Sequence, residues 1–205
     1  MKKWTGFLIL SALVVALAGC TGNQPEQKPT TPTTETAQPA AEITKPAGSK
    51  HTNMDEKEAV ALAAEGANAY EYVLRGGKID PDKSKSFSSH DGKDYRFVGS
   101  DIDTKEKLMK YLENIYTKAA RDKVIDNLKL IEKEGKLAQP TVDKSSVLQW
   151  EGGQAEMITE DQNGREYEIK VPVGEGNEVD FKGYSVRMKQ EDGAWKLDTI
   201  PGVKE

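Results

Sequence analysis

The chain has 205 residues, of which 31% are charged and 36% are hydrophobic, and its formal net charge is −5. This length predicts one compact domain, leaves two small domains as the alternative, and excludes a multidomain enzyme. The negative charge argues against nucleic-acid binding, which needs a basic surface. One cysteine and two histidines exclude most metal sites and most nucleophilic catalytic sites. The composition therefore favours a non-enzymatic binding protein without a cofactor.

The first 20 residues have the pattern of a secretion signal. Lys2 and Lys3 precede a nearly unbroken apolar run at residues 7–18, which is short for a membrane span. The run ends in Leu17-Ala18-Gly19-Cys20, which resembles the bacterial lipobox. We therefore predict a signal peptide over residues 1–19 and a lipoprotein whose Cys20 carries palmitate-type chains at the outer face of the cell membrane. An ordinary signal peptide with an incidental cysteine is the alternative.

Residues 20–53 are predicted to form a disordered tether. Residues 21–53 contain no Phe, Trp or Tyr and five of the nine prolines, so they lack the apolar surface that offsets the entropy of ordering. A single α+β domain is expected over residues 54–205.

Three amphipathic helices are predicted in the first half of this domain. Asp55 with Glu58 resembles a capping box, and Gly76-Gly77 ends the first helix. A polar loop over residues 78–93 and a short strand at residues 95–98 follow. The second helix begins after Asp103 or Thr104. The third begins at Thr117 and is expected to run through Ile131 to Gly135.

From Val147 the apolar period changes from helical spacing to two, which is typical of strands. Asn163-Gly164 and Asp192-Gly193 are favoured hairpin turns. The alternation changes parity at Gly183, which predicts a β-bulge there. The predicted fold class is α+β, with three helices packed against a four- to five-stranded antiparallel sheet. A two-lobed arrangement and a cystatin-like cone are the alternatives.

Few side chains are spaced for catalysis or metal binding. His51 falls in the predicted tether, and His90 lies in a polar loop without a nucleophile motif. Asp101, Asp103 and Glu106 are spaced like ligands of a hard cation, but the calcium-loop pattern is absent and helix capping explains Asp103 better. We predict neither a catalytic residue nor a metal site.

Several segments together resemble one protein family. They are Tyr95-Arg96-Phe97-Val98-Gly99-Ser100-Asp101-Ile102-Asp103-Thr104-Lys105-Glu106-Lys107-Leu108, Tyr116-Thr117, Gly135-Lys136-Leu137-Ala138-Gln139-Pro140 and Trp195-Lys196-Leu197-Asp198-Thr199-Ile200. In this order and spacing they resemble the IseA family of D,L-endopeptidase inhibitors from Gram-positive bacteria. The resemblance covers about residues 55–203.

The resemblance implies an inhibitor with a helical lobe and a sheet lobe. Its partners would be NlpC-type cysteine D,L-endopeptidases, which cut the D-γ-glutamyl–meso-diaminopimelate bond of peptidoglycan, and it would regulate autolysis of the cell wall. It would block their active-site cleft with an acidic loop. Three loops are candidates, in this order: residues 140–145 with Asp143 and Lys144, residues 99–103 with Asp101 and Asp103, and residues 174–176 with Glu175. A turn, a helix cap and a hairpin tip are the structural alternatives.

A second hypothesis remains open beside inhibition. A cystatin-like cone could bind a small or lipidic ligand between sheet and helices. Such a protein would have a conical apolar pocket lined by Tyr167, Phe181 and Trp195.

Overall fold

The computed structural model describes residues 50–79, 85–89, 92–141, 146–174 and 179–204. Helix α1 spans Glu56–Leu74, α2 spans Lys105–Leu112 and α3 spans Lys118–Asn127. Side-chain oxygens of Asp55, Thr104 and Thr117 accept hydrogen bonds from the backbone N–H groups of the first turns. These caps satisfy donors that have no partner within the helix, and they confirm the three predicted starts. None of the helices in the described part is long and apolar enough to span a membrane.

The predicted end of the third helix is wrong. Helix α3 stops at Asn127, and strands β3 (Ile131–Lys133) and β4 (Lys136–Pro140) form a hairpin in the region assigned to helix and loop. Glu134 and Gly135 form its turn with φ of 55° and 71°. Two consecutive positive φ angles are the geometry of a tight hairpin turn, so Gly135 reverses a strand instead of ending a helix.

Strands β3 and β4 belong to a first antiparallel sheet. Strands β1 (Ser86–Ser88) and β2 (Asp94–Phe97) complete it in the order β1-β2-β4-β3. Strand β1 lies in the segment predicted to be a polar loop. Because β2 pairs with β4 and not with the later strands, the structure has two sheets where the sequence predicted one.

The second sheet is a meander of four longer strands. They are β5 (Gln154–Asp161), β6 (Gly164–Val173), β7 (Asp180–Glu191) and β8 (Ala194–Leu197), hydrogen-bonded in that order. A short 3₁₀ helix, Trp150–Gly152, precedes them. The fold class α+β is confirmed, with three helices and two four-stranded antiparallel sheets.

The predicted bulge at Gly183 is also wrong. Strands β6 and β7 stay in register from Arg165 opposite Met188 to Val173 opposite Asp180. The parity changes because Phe181 lies on the outer face of the sheet, where 52% of its surface is exposed. The register of the sheet shifts elsewhere, in β5 between Met157 and Thr159.

Helix α1 packs against the second sheet at a position without a side chain. The hydroxyl of Tyr116 donates a hydrogen bond to the carbonyl of Gly66 at 2.7 Å, and a Cβ at residue 66 would overlap Cδ1 of Leu197. Tyr116 and Leu197 are completely buried. Glycine at this position therefore allows helix α1, the turn after α2 and strand β8 to meet.

The end of α1 holds the first sheet. Gln139 of β4 donates to the carbonyl of Leu74 at 2.6 Å, and Arg96 of β2 donates to the carbonyl of Arg75 at 3.0 Å. The last carbonyls of a helix have no intrahelical donor and carry partial negative charge, which a guanidinium complements. Helix α1 thus contacts the second sheet along its length and the first sheet at its C-terminal end.

We predict that Gly66→Ala lowers the free energy of unfolding by about 1–2 kcal/mol. Overpacking a buried contact costs about 1–3 kcal/mol, and the better helix propensity of alanine offsets about 1 kcal/mol of it. Urea unfolding measures the change. The control is the same substitution in a Leu197→Val background, which lacks the overlapping Cδ1 and should lose less. A net stabilisation by Gly66→Ala would contradict the packing described here.

Candidate functional site

The two sheets are joined by a connection that is fixed at both ends. At its start, the N–H of Thr141 donates to the carbonyl of Asp94 in the first sheet at 3.0 Å. At its end, Leu148 forms an antiparallel bridge with Val173, and the N–H of Gln149 donates to Pro172 at 3.0 Å, both in the second sheet. Asp143 and Lys144, the first pair of predicted contact residues, lie between these points and outside the described residues.

Cavities lie beside both ends of the connection. One of about 540 Å³ is lined by Thr141, Asp94 and Gln139, together with Tyr70 and Leu74 of α1. Another of about 380 Å³ is lined by Leu148 and also by Tyr70 and Leu74. Burial, and the nearby charge of Glu71, raise the pKa of the Tyr70 hydroxyl. The last turns of α1 therefore form a wall shared by the two cavities.

Asp101 is placed inside a network of hydrogen bonds. Its Oδ2 accepts from the hydroxyl of Tyr72 at 2.5 Å, and its Oδ1 accepts from the N–H of Lys78 at 3.0 Å. Burial and the adjacent carboxylate raise the pKa of Tyr72, so this tyrosine stays a donor. The carboxylate of Asp101 fastens the loop of residues 99–103 to the end of α1.

Asp103 is 6% exposed and faces two lysines. Its carboxylate lies 2.6 Å from Nζ of Lys107 and 3.6 Å from Nζ of Lys136. Burial raises the pKa of Asp103, but the hydrogen bond and charge of Lys107 and the charge of Lys136 outweigh it and hold the pKa below its ordinary value. Asp103 therefore stays ionised and links α2 to β4.

The connection between β6 and β7 is the third predicted contact loop. The structure describes Gly174, whose carbonyl accepts from Nε2 of Gln149 at 2.7 Å, whereas Glu175 lies outside the described residues. The side chains of Val147, Val179 and Phe181 are exposed. Of the predicted contact residues in the three loops, Asp101 and Asp103 are the two that the structure describes.

The pocket of the cone hypothesis does not form. Tyr167 and Trp195 are 1% and 9% exposed and belong to the core, whereas Phe181 is 52% exposed on the outer face of the second sheet. Side chains on opposite faces of a sheet cannot line one pocket. The pocket that would have supported the cone hypothesis is therefore not formed by these three residues.

In the described part of the chain, no group of side chains supports the cation site or the catalytic site considered from the sequence. Three or more His, Cys, Asp or Glu side chains do not converge there as metal ligands. Asp101 and Asp103 point to different partners, as given above. His90 and Asp91 lie outside the described residues.

The structure places His51 in the folded domain, whereas the sequence predicted it in the tether. It is 6% exposed, its carbonyl accepts from the N–H of Trp195 at 2.8 Å, and it forms an antiparallel bridge with that residue of β8. Its Nδ1 lies 2.8 Å from Glu58 and its Nε2 lies 3.6 Å from Glu65. The carboxylates of Glu65 and Glu58 raise the pKa of His51 and outweigh burial, which lowers it. The spacing of Glu58 and Glu65 places these two carboxylates on one face of α1, but His51 lies ahead of the helix and its bridge to Trp195 has no local sequence signal.

These features define a small α+β domain in which two antiparallel sheets both contact helix α1. The family model described as IseA DL-endopeptidase inhibitor matches residues 50–202, and the chain belongs to this family. The description of this family is of inhibitors that act on D,L-endopeptidases.

A curated relative is similar over part of its length. The chain is 30% identical over 109 residues to "Uncharacterized protein YoeB" of Bacillus subtilis (strain 168). The aligned region covers 53% of this chain and 59% of that protein, so the chain spans somewhat more than half the length of the relative.

We predict a pH-dependent contribution of His51 to stability. A histidine whose pKa is raised in the folded state stabilises the fold fully below its unfolded pKa of about 6.5, and this contribution is lost as the pH rises through the raised pKa. His51→Gln should therefore lower the free energy of unfolding more at about pH 6 than at about pH 8. Urea unfolding at several pH values measures the difference.

His90→Gln is the matched control for this experiment, since the chain has two histidines. It should leave the pH dependence of the wild-type chain in place. An equal loss at both pH values in His51→Gln would contradict the charged contact with Glu58 and Glu65.

Proposed function

We propose that this protein inhibits NlpC-type cysteine D,L-endopeptidases by occupying their active-site cleft, and that it thereby limits autolysis of the cell wall. The observation that carries the proposal is the family match over residues 50–202, a range that contains all three helices and both sheets. The inhibitor acts by binding alone. Its targets cut peptidoglycan outside the cytoplasm, so the site of action is extracytoplasmic.

The connection between the two sheets is our candidate for the inserted segment. Its ends at Thr141 and Leu148 are hydrogen-bonded to different sheets, so both are already positioned before the target arrives. A segment that is positioned in advance loses less conformational entropy on docking. We assign direct contacts to Asp143 and Lys144, and a supporting contact to Glu175.

The loop of residues 99–103 fits a different role. The carboxylates of Asp101 and Asp103 are bound to Tyr72, Lys78, Lys107 and Lys136, so a target would meet a loop whose shape is fixed. We propose that Asp101 and Asp103 hold this loop at the rim of the contact surface.

The net charge of the chain favours its encounter with the target enzyme. The formal charge of the chain is −5, and an acidic inhibitor is steered toward a positively charged cleft. Such steering raises the association rate at low ionic strength and weakens as salt screens the charges.

We also propose that the inhibitor is held at the membrane through Cys20. The support is the sequence Leu17-Ala18-Gly19-Cys20 behind an apolar run, followed by a proline-rich stretch that would act as a spacer. Two or more acyl chains on one residue give stable anchoring. The protein would then act where new wall is laid down against the membrane.

We expect the full chain, purified in detergent, to stop peptidoglycan cleavage by an NlpC-type D,L-endopeptidase at concentrations of about 1 μM. Asp143→Lys should raise the half-inhibitory concentration about tenfold because it reverses a charge in the inserted segment. Release of stem-peptide fragments measures both effects. Asp122→Lys, the same charge change on α3, is the control and should inhibit like the wild type.

Two results would count against this proposal at different levels. Undiminished cleavage at about 10 μM wild-type chain would refute inhibition itself. Full potency of Asp143→Lys, with thermal unfolding unchanged, would exclude the connection between the sheets as the inserted segment.

For the anchor, we expect Cys20→Ser to move the protein from the membrane fraction to the soluble fraction of the producing cells. Thr21→Ser keeps the cysteine and is the control that should remain in the membrane fraction. Cell fractionation followed by immunoblotting measures the distribution. Retention of Cys20→Ser in the membrane fraction would refute lipid anchoring.

A further inference from the structure

A groove runs between α1 and the edge strand of the second sheet. Its volume is about 690 Å³. Its apolar floor is formed by Val60, Ala61 and Ala64 on the helix side, and by Gly153 and Ala155 on the strand side. None of these residues belongs to the three loops assigned above to the active-site contact.

The strand beside this groove has an unpaired edge. In the part of the chain that the structure describes, β5 pairs with β6 alone and stands at the end of the order β5-β6-β7-β8. Residues 154–157 pair regularly with β6 before the register shifts after Met157. The other side of this regular stretch carries backbone N–H and C=O groups that an additional strand would bind.

The rim of the groove is acidic. Glu56, Glu65 and Glu151 line it, against the single basic side chain of Lys57. The carboxylate of Glu151 accepts from Nδ2 of Asn68 at 3.0 Å, which fixes it at one end of the groove.

The distribution of charge along the chain agrees with this rim. Residues 50–74 and 142–205, which contain α1 and the second sheet, have 10 Lys and Arg against 19 Asp and Glu. Residues 75–141, which contain the first sheet, α2 and α3, have 15 Lys and Arg against 12 Asp and Glu. The negative charge of the domain is therefore concentrated on the part that forms the groove.

We propose that this groove binds an extended, lysine- or arginine-bearing segment of the target endopeptidase, which adds to β5 as a further strand. The proposal rests on the proposed inhibitory function and places a second contact outside the active-site cleft. The backbone of the segment pairs with residues 154–157. Side chains on one face rest on the apolar floor, and basic side chains reach Glu56 and Glu151.

A second copy of this chain fits the strand less well. Strand β5 carries three acidic side chains, Glu156, Glu160 and Asp161, and no basic one, so a second copy would bring another acidic strand to this edge. A basic partner relieves this repulsion. Binding at two places would also tighten the complex, because the second contact becomes intramolecular once the first is made.

The test uses a fluorescent octapeptide in which lysine alternates with valine or threonine. The full chain in detergent should bind this peptide at low salt, and a peptide with glutamate in place of lysine should not bind. Ala61→Trp fills the groove without changing charge, and Glu56→Lys with Glu151→Lys reverses its rim. Each should weaken peptide binding about tenfold. Glu132→Lys on β3 is the charge control and should bind like the wild type.

The same variants are then assayed against the endopeptidase. Ala61→Trp should raise the half-inhibitory concentration about tenfold. Saturating amounts should still stop cleavage, because the segment inserted in the active-site cleft is unchanged. Equal peptide binding by Ala61→Trp and wild type, or equal inhibitory potency, would overturn the groove proposal. Failure of the wild-type chain to inhibit at all would instead refute the proposed function, and the peptide titration would still decide whether the groove binds basic strands.

Discussion

The close approach of α1 to β8 at Gly66 is the constraint on which the rest of the domain depends. Leu197 and Tyr116 occupy the space that a side chain at residue 66 would fill, and the hydroxyl of Tyr116 binds the carbonyl of Gly66. The N–H of Leu197 donates to Ile115, and the N–H of Thr117 donates to Leu197, so the segment between α2 and α3 is joined to β8 by backbone bonds on both sides. One contact therefore sets the positions of all three helices relative to the second sheet. Because interiors are closely packed, a change of one methyl group at this point affects each of these elements.

The first sheet is held in a different way, and this matters for the functional site. Gln139 and Arg96 bind the last carbonyls of α1, Asp101 binds Tyr72 near the same end, and the N–H of Gly99 donates to Gly76. These hydrogen bonds add to apolar packing, because Leu137 of β4 belongs to the same buried cluster that α1 forms with the second sheet. The two ends of the connection, Thr141 and Leu148, are attached to the first and the second sheet respectively.

The parts of the fold that could be predicted from the sequence depend on local chemistry. Asp55, Thr104 and Thr117 cap helices through their own side chains, and Asp192-Gly193 adopts the positive φ of its predicted turn. The errors arose where the outcome depends on distant partners. Gly135 is compatible with a helix end and with a hairpin turn, and the pairing of β4 with β2 decides between them. Strand β7 alternates regularly through Phe181, which lies outside the core. An apolar side chain on the outer face has the parity expected after a bulge, so the sequence predicted a bulge that β7 does not have.

In the candidate site, too, some features have a local sequence signal and others depend on distant partners. The pairing of Asp103 with Lys107 has the i,i+4 spacing of a local contact, but Tyr72 of α1 and Lys136 of β4, the distant partners of Asp101 and Asp103, give no signal near residues 99–103. Composition placed His51 in the tether, although it is bonded to Trp195 and lies beside Glu58 and Glu65. This contact has a mechanical consequence. A force that pulls on Lys50 away from the domain is carried at His51 by one backbone bond to β8 and by two carboxylates of α1, so the load enters the second sheet and the helix together.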